Sequence, residues 1–569
     1  MTQPMAGGRG RTVLALVLLF LLALVPRLYS AQTLGWHWDA PGSFTLINFD
    51  EGGSCRAALD GFDYSTFIGH QTIALASSLG LAPPADAAGD PAAVKAYCHS
   101  PGHILVARTH SAVLGALTVV ALVLLALQLQ PGRPAVAWTA GALLALSGFH
   151  ISESQSGTVD APSTFFIYAF MAVLVWGIRS RRAAALVLAL LLMIAAIWTK
   201  YWVFAIFAWL ALLPAHGWDY ISDGFSPGRV VALVLVFSAF LAAATNVDFP
   251  RWGLLPLLVC YAALVPWLRV PRPMAVVWVL LPLVFWSTSQ LDLVNSYTQS
   301  GEAGRFGTSY AAIGENKWLR NLVNVPAMLL VGLGIPACAF LPRGIAALWR
   351  ATEQRRLWVC LLPVLAFLLF MAFLAPVTYY RHSLPLLPAA ALLAALGLHS
   401  TGWGRRPWFL ALFFAWPALL AWDLVSDYHA DPRIELRDWY AGNPEARVFA
   451  SFYVSPPPSR TRLFRPELAF GDAAALRQAD YLILSENWYD TAFANELNGP
   501  VVNKLDKLVK TRPEYTRFYR QALSGAHPLL EKTEDFDLVH YMPELLVHRR
   551  FYGNFPLFVG DLKVFRVRH

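Results

Sequence analysis

The stretch His103–Leu129, HILVARTHSAVLGALTVVALVLLALQL, decides what kind of protein this is. Its one Asp, Glu, Lys or Arg is Arg108, near the start. About 20 apolar residues suffice for a helix to cross the hydrocarbon of a bilayer, so this run spans a membrane with length to spare for tilt. The apolar run Val13–Tyr29 precedes it. Further apolar segments follow that run and no small-residue cleavage site does, which predicts a retained first span and not a removed signal peptide. Beyond residue 129 the apolar segments are Ala135–Gly148, Pro162–Ile178, Ala183–Trp198, Tyr201–Leu213, Val230–Ala244, Gly253–Leu268, Met274–Trp286, Leu322–Leu341, Leu357–Leu374, Leu384–Leu398 and Trp408–Val425. The pattern predicts about thirteen spans.

Composition and charge agree. The chain is 57% hydrophobic and 14% charged, where a soluble protein carries about a quarter charged residues. The net charge of +8 would suggest a nucleic-acid partner if it were clustered, but most of the Arg residues in the first three-quarters of the chain fall in short loops between spans. With the N-terminus inside, the cytoplasmic loops hold Arg9 and Arg11, Arg133, Arg179, Arg181 and Arg182, Arg229, Arg269 and Arg272, Arg343, Arg350, Arg355 and Arg356, and Arg405 and Arg406. That is the positive-inside bias, and removing one span would reverse it for many of them. The expected partner is therefore the membrane, not nucleic acid. Arg far outnumbers Lys in these loops, a usage expected of a bacterium with a GC-rich genome.

This topology leaves four outer features. The first loop, residues 30–102, contains Asn48-Phe49-Asp50-Glu51-Gly52-Gly53 and an amphipathic stretch, Tyr64–Leu81, expected to lie as a helix on the membrane surface. A short turn, Gly148–Ala161, carries Glu153 and Asp160. A polar, Gly-rich loop covers residues 287–321. Residues 426–569 form an extracytoplasmic α/β domain, with a helix over Asp431–Asn443, strands over Arg447–Phe452, Tyr481–Leu484 and Leu562–Val567, and a helical stretch over Val502–Leu523. The spans and outer loops of residues 1–425 form the other unit. Cys55 and Cys98 share the first outer loop; they pair in an oxidising compartment or stay free, and the spacing does not choose.

Charged residues at one membrane face are the candidates for chemistry. Asp50 and Glu51 can act as general base toward a hydroxyl or amine, or be a solvated pair. Gly52 and Gly53 permit close approach of a ligand or of another backbone. Asp160, two residues before Pro162, is either a helix N-cap or a site acid, and Glu153 reads as a plain loop acid. Lys200 is a snorkelling interfacial Lys or a phosphate contact. Arg381 stands on the outer side, against the charge bias, after Tyr379 and Tyr380 and before a Pro-interrupted helix; Arg108 belongs with it. No metal-ligand spacing of the HExxH or CxxC type occurs, so no metal ligand is assigned and a divalent cofactor is left open. No Walker A loop or Rossmann fingerprint is present either.

The order of these motifs resembles the GT-C glycosyltransferases, and within them the protein O-mannosyltransferase and aminoarabinose-transferase group. FDEGGSCRAAL at residues 49–59 resembles the group's Asp-Glu motif, and HILVARTHSAVLGALTVVALVLLALQL its second span. GFHISESQSGTVDAPSTFF at residues 148–166 is similar to its Asp-bearing turn, TKYW at residues 199–202 to its Lys-bearing turn, and YYRHSLPLLP at residues 379–388 to its late Arg-bearing segment. The resemblance implies a polytopic α-helical fold of about thirteen transmembrane helices with an outer domain. It also implies a polyprenyl-phosphate sugar donor and inverting transfer to a lipid, glycan or protein acceptor outside the cytoplasm, in a bacterial inner membrane. On that pattern Asp50 is the base with Glu51 beside it, Asp160 orients the acceptor or the base, and Lys200, Arg381, Tyr380 and Arg108 hold the donor phosphate. One departure is that FDYSTFIGHQTIALAS, residues 62–77, lacks the Pro-Pro pair common in the group, which leaves the acceptor class open. The rival reading is a transporter or flippase of lipid-linked sugars. Such folds carry related halves and midplane sites, and no half-repeat is visible here.

Overall fold

The computed structural model describes residues 6–38, 44–48, 50–62, 64–85, 89–200, 251–268, 325–326, 328–350, 356–373, 380–451, 461–463, 473–493, 514–538 and 560–569, with a few more positions between 232 and 280 and at 454. The expected span Tyr201–Leu213, more than half of Val230–Ala244 and of Met274–Trp286, and the loop 287–321 lie outside the described residues.

The membrane part is helical from the first described residue. Helix α1 (Ala6–Thr33) is followed by three short helices of the first loop: α2 (Gly53–Asp60), α3 (Thr66–Ser78) and α4 (Pro91–Cys98). Then come α5 (Pro101–Leu129), α6 (Pro134–Ala145), α7 (Gly148–Gln155), α8 (Asp160–Ser180) and α9 (Ala183–Thr199). After α10 (Leu254–Leu264) the chain forms α11 (Ile335–Arg350), α12 (Trp358–Phe373), α13 (Leu386–His399) and α14 (Pro407–His429). Among the described residues, four helices are long and apolar enough to cross a membrane, over Gly10–Thr33, Pro101–Leu129, Asp160–Ser180 and Pro407–Gly442; α6 and α7, bent by 56°, make a fifth if taken as one span. Helices α9 and α10, residues Ile335–Leu348 and Trp358–Leu369, and α13 are apolar but shorter.

The centre of the bundle is α5, with α1, α3, α6, α7 and α8 against it, α9 against α8, and α13 against α6 and α11. Small residues set some of these distances. A Cβ on Gly344 of α11 would meet the Leu393 carbonyl at 2.0 Å, and one on Gly397 of α13 would meet the Phe340 carbonyl at 2.1 Å. The two helices thus cross backbone to backbone, the close approach that small residues permit between membrane helices. On the lipid-facing side α1 leaves Val13, Leu14, Leu18, Leu22 and Val25 exposed, as expected where the surroundings are as apolar as the side chains.

Past α14 comes α15 (Arg433–Gly442), then strands β1 (Val448–Ala450), β2 (Thr461–Leu463) and β3 (Tyr481–Ser485), and later β4 (Leu530–Phe536) and β5 (Leu562–Val567). The sheet order is β2-β1-β3-β5-β4. Strand β1 is parallel to β2 and β3, and β5 is antiparallel to β3 and β4. Leu482, Leu484, Phe565 and Val567 face Phe518, Tyr519 and Ala522 of helix α16 (Glu514–Leu523). On the other face Val448, Ala450, Ile483 and Val564 meet Leu436 and Tyr440 of α15, with Trp38 of the first loop alongside. Burial of both faces explains why Tyr481–Leu484 reads as a continuous apolar run with no polar alternation. Strands β2 and β4 have no counterpart in the sequence-level reading, and residues 502–513 of the expected helical stretch lie outside the described residues.

Candidate active site

At residues 48 and 50–53 the chain sends two adjacent acids in different directions. The Asp50 amide donates to Asn48 Oδ1 at 3.0 Å. The Glu51 amide donates to the Asn48 carbonyl and the Gly53 amide to the Asp50 carbonyl, an Asx-type local hydrogen-bond set. Gly52 follows with φ of +79°, and a Cβ there would sit 2.6 Å from His99 Cδ2 and 2.9 Å from the Cys98 carbonyl. Gly52 therefore admits a neighbouring backbone. Cys98 is disulfide-bonded to Cys55, which pins α2 to α4 behind the turn and settles the pairing that the spacing left open. Burial, with the Lys95 and Arg56 cations nearby, pushes the His99 imidazole down to about 4, so the ring beside Gly52 is neutral.

Glu51 points inward. Its Oε1 accepts Arg108 Nε at 2.7 Å and the Gly157 amide at 2.9 Å. Its Oε2 accepts Arg108 Nη2 at 2.8 Å and the Ile47 amide at 3.0 Å. Both side chains are 0% exposed. Arg108 Nη1 donates to the Leu34 carbonyl at 2.5 Å. The guanidinium expected to meet a donor phosphate is thus taken up by a bidentate internal pair and a loop carbonyl. This pair ties the first loop to α5 and to the turn before α8.

Asp50 points the other way. Its Oδ2 accepts Arg381 Nη2 at 2.6 Å. Arg381 Nε lies 3.8 Å from Asp160 Oδ2, and Asp160 Oδ1 accepts Lys200 Nζ. Four residues from four segments thus form one chain of alternating charge: Asp50, Arg381, Asp160, Lys200. The exposure of these side chains falls inward, from 27% at Asp50 and 14% at Arg381 to 8% at Lys200 and 1% at Asp160. Asp160 is the first residue of α8 but does not cap it, since the helix has no side-chain cap hydrogen bond. An acid at a helix N-terminus and a cation at the C-terminus of α9, where Lys200 stands, each sit at the favourable end of a helix dipole.

Second contacts hold these pieces in place. Tyr168 of α8 donates its hydroxyl to the Pro385 carbonyl at 2.9 Å and accepts the Ala389 amide at 3.1 Å. That fixes the start of α13, and the turn Tyr380–Ser383 before it, against α8. Ser65 Oγ donates to the Trp198 carbonyl at 2.8 Å, docking α3 beside Lys200. Tyr380 opens the Arg381 turn, and its side chain lies outside the described residues. Glu153, read from sequence as a loop acid, is only 6% exposed. Among the described residues, no group of three or more His, Cys, Asp or Glu side chains is arranged to hold a metal ion.

Comparison with known proteins gives one family match. Residues 60–263 match the family described as dolichyl-phosphate-mannose-protein mannosyltransferase, a segment that includes Arg108, Asp160 and Lys200. No curated protein matches the chain. Among solved structures, the chain is similar to the Archaeoglobus fulgidus oligosaccharyltransferase in complex with Zn and sulfate, at 13% identity and a TM-score of 0.45 over 87% of this chain and 70% of that one. The same enzyme tethered to an acceptor peptide containing the NVT sequon gives 12% identity and a TM-score of 0.45 over 98% and 88%. ArnT from Cupriavidus metallidurans bound to undecaprenyl phosphate gives 16% identity and a TM-score of 0.41 over 84% and 94%. The match over residues 60–263 makes the dolichyl-phosphate-mannose-protein mannosyltransferases the family that this part of the chain resembles.

Proposed function

We propose that this protein transfers a sugar from a polyprenyl-phosphate-linked donor to an acceptor on the extracytoplasmic face of the membrane, with inversion at the anomeric carbon. The observation that carries the reading is the chain Asp50–Arg381–Asp160–Lys200. Direct displacement needs a base for the acceptor and positive charge for the departing phosphate. Asp50, the most exposed of the four, takes the proton of the acceptor hydroxyl or amine as the acceptor attacks the anomeric carbon. The bond from that carbon to the phosphate oxygen breaks, and charge gathers on the phosphate. Lys200 and Arg381 supply the positive charge that stabilises the leaving group.

In this reading Asp160 is a positioning residue that sets the two cations side by side. Glu51 and Arg108 are positioning residues too, since their pair sets the loop from which Asp50 projects. Residues 426–569 form an extracytoplasmic domain that handles the acceptor, the N-terminus is cytoplasmic, and the membrane is a bacterial inner membrane. Removal of a general base costs on the order of 100-fold or more in rate, so Asp50→Asn abolishes transfer at normal expression and insertion. The measurement is mass analysis of envelope glycans, lipids and proteins from cells carrying wild type, Asp50→Asn or no protein. A fully active Asp50→Asn protein removes Asp50 as the base.

A further inference from the structure

Glu153 is a buried carboxyl to which the proposed chemistry gives no part. It sits on α7, which is rigidly held. Ser147 Oγ accepts the His150 amide at 3.3 Å, Ser154 Oγ donates to the His150 carbonyl at 2.5 Å, and Arg27 Nη2 lies 2.8 Å from His150 Nδ1. Glu153 Oε2 is buried and has no hydrogen-bond partner among the described residues. The charged groups that act on Glu153 are Asp160, Arg381, Lys200 and Asp50, and Tyr428 of α14, which packs on α7, is hydrogen-bonded to the neighbouring Ser152.

The charges around it are already matched. Arg108 pairs with Glu51, Lys200 with Asp160, and Arg381 with Asp50 and Asp160. Three cations thus meet three carboxylates. A further negative charge on Glu153 would be buried without a counterion, which the interior disfavours strongly unless the group keeps its proton. A protonated carboxyl is a hydrogen-bond donor, and a buried acid held neutral so that it can donate to an oxyanion is an established catalytic device.

We propose that Glu153 is a ligand-binding residue of this site: it stays protonated and donates its O–H to the phosphate of the lipid donor. The inference rests on the lipid-phosphate reading above. It assigns Glu153 the opposite chemistry from Asp50, because the site needs Glu153 neutral and Asp50 ionised. As an anion, Glu153 would repel the ligand that Lys200 and Arg381 attract.

The test is binding of a sugar-free polyprenyl phosphate to the full-length protein in detergent, for wild type, Glu153→Gln, Glu153→Ala and Lys200→Met, between pH 6 and pH 9. A hydrogen bond to a charged group accounts for about tenfold or more in affinity, so Glu153→Ala weakens binding at pH 7 by at least that factor. Glu153→Gln, which keeps a neutral N–H donor, recovers most of the loss. Wild-type binding weakens more steeply with rising pH than Glu153→Gln binding, because only the acid can ionise. Titration of the phosphate and of Lys200 is common to both proteins and cancels in the comparison. Glu153→Gln binding about tenfold or more below wild type at pH 7 overturns the proposal even if Glu153→Ala does not fold, as does Glu153→Ala binding as tightly as wild type. A wild-type protein that binds no polyprenyl phosphate, or binds it equally well as Lys200→Met, overturns the donor reading itself.

Discussion

Removing the Glu51 carboxylate tests whether the Asp50 loop is held from inside. In Glu51→Ala the Arg108 guanidinium, 0% exposed, keeps its hydrogen bond to the Leu34 carbonyl but loses its counterion. The Gly157 and Ile47 amides lose their acceptor as well. Breaking a fully buried ion pair from one side costs about 3–5 kcal/mol, and each buried amide left unpaired adds about 1–3 kcal/mol unless water reaches it. The expected loss is therefore about 4 kcal/mol or more, read as a lower melting temperature of the full chain in detergent. Arg108→Met alone strands the carboxylate in the same way. The double substitution Glu51→Ala with Arg108→Met removes both charges and costs less than the sum of the singles, a coupling that a double-mutant cycle measures. Transfer falls in both single variants because the loop that aims Asp50 is released. A Glu51→Ala protein that melts within about 0.5 kcal/mol of wild type, the range of an ordinary surface substitution, would refute the reasoning, as would strictly additive singles.

Four further outcomes follow from particular residues. Gly52→Ala forces a left-handed backbone and a clash with His99 and Cys98, so it destabilises by about 1–3 kcal/mol; Gly61→Ala, with a positive φ but open space around it, costs less in the same melt. Reducing the Cys55–Cys98 bond, which joins residues 43 apart, lowers stability by up to about 4 kcal/mol on the loop-entropy relation, and mass spectrometry of the alkylated chain before and after reduction confirms the bond. Burial, with the Glu486 charge beside it, pushes the Asp561 carboxyl up to about 6. Its folded form thus binds a proton more tightly than its unfolded form, and stability of the C-terminal sheet falls as pH rises from about 4 to about 6. Asp561→Asn flattens that slope in a melt against pH. Finally, Lys200→Met leaves Asp160, 1% exposed, with Arg381 as its remaining cation, and transfer falls at least tenfold if the lysine carries leaving-group charge.

The readable parts of this protein were those set by local chemistry. His103–Leu129 announces a span because hydropathy over 27 residues is a local property, and the helix found there runs Pro101–Leu129. Tyr64–Leu81 shows helical spacing, and α3 covers Thr66–Ser78. Asp50, Asp160, Lys200 and Arg381 could be grouped because charge is rare at one face of such a chain, and the fold brings the four together. What local pattern could not reveal was division of labour among neighbours. Nothing in the dipeptide Asp50-Glu51 indicates that one acid turns inward to Arg108, 57 residues on, and the other outward. Arg27 was hidden inside an apolar run, yet its guanidinium reaches the Leu144 and Ala145 carbonyls at the end of α6, a cation at a helix C-terminus. Strand β4, LEKTEDF, buries only its two end residues, so it carries no alternation to detect. The low exposure of Glu153 follows from packing of its helix against α14, which is remote in the chain.

The Asp50–Arg381 pair also bears on how the protein is made. Its two ends lie 331 residues apart, so at 5–20 residues per second the guanidinium is synthesised roughly 15–70 seconds after the carboxylate. During that interval the growing chain comes to hold Asp50, then Asp160 and then Lys200, but not the arginine that stands between the two acids. On the proposed function, a nascent or truncated polypeptide that lacks Arg381 is therefore inert toward the lipid donor. On that reading competence arrives in one late step, when the turn before α13 docks on α8.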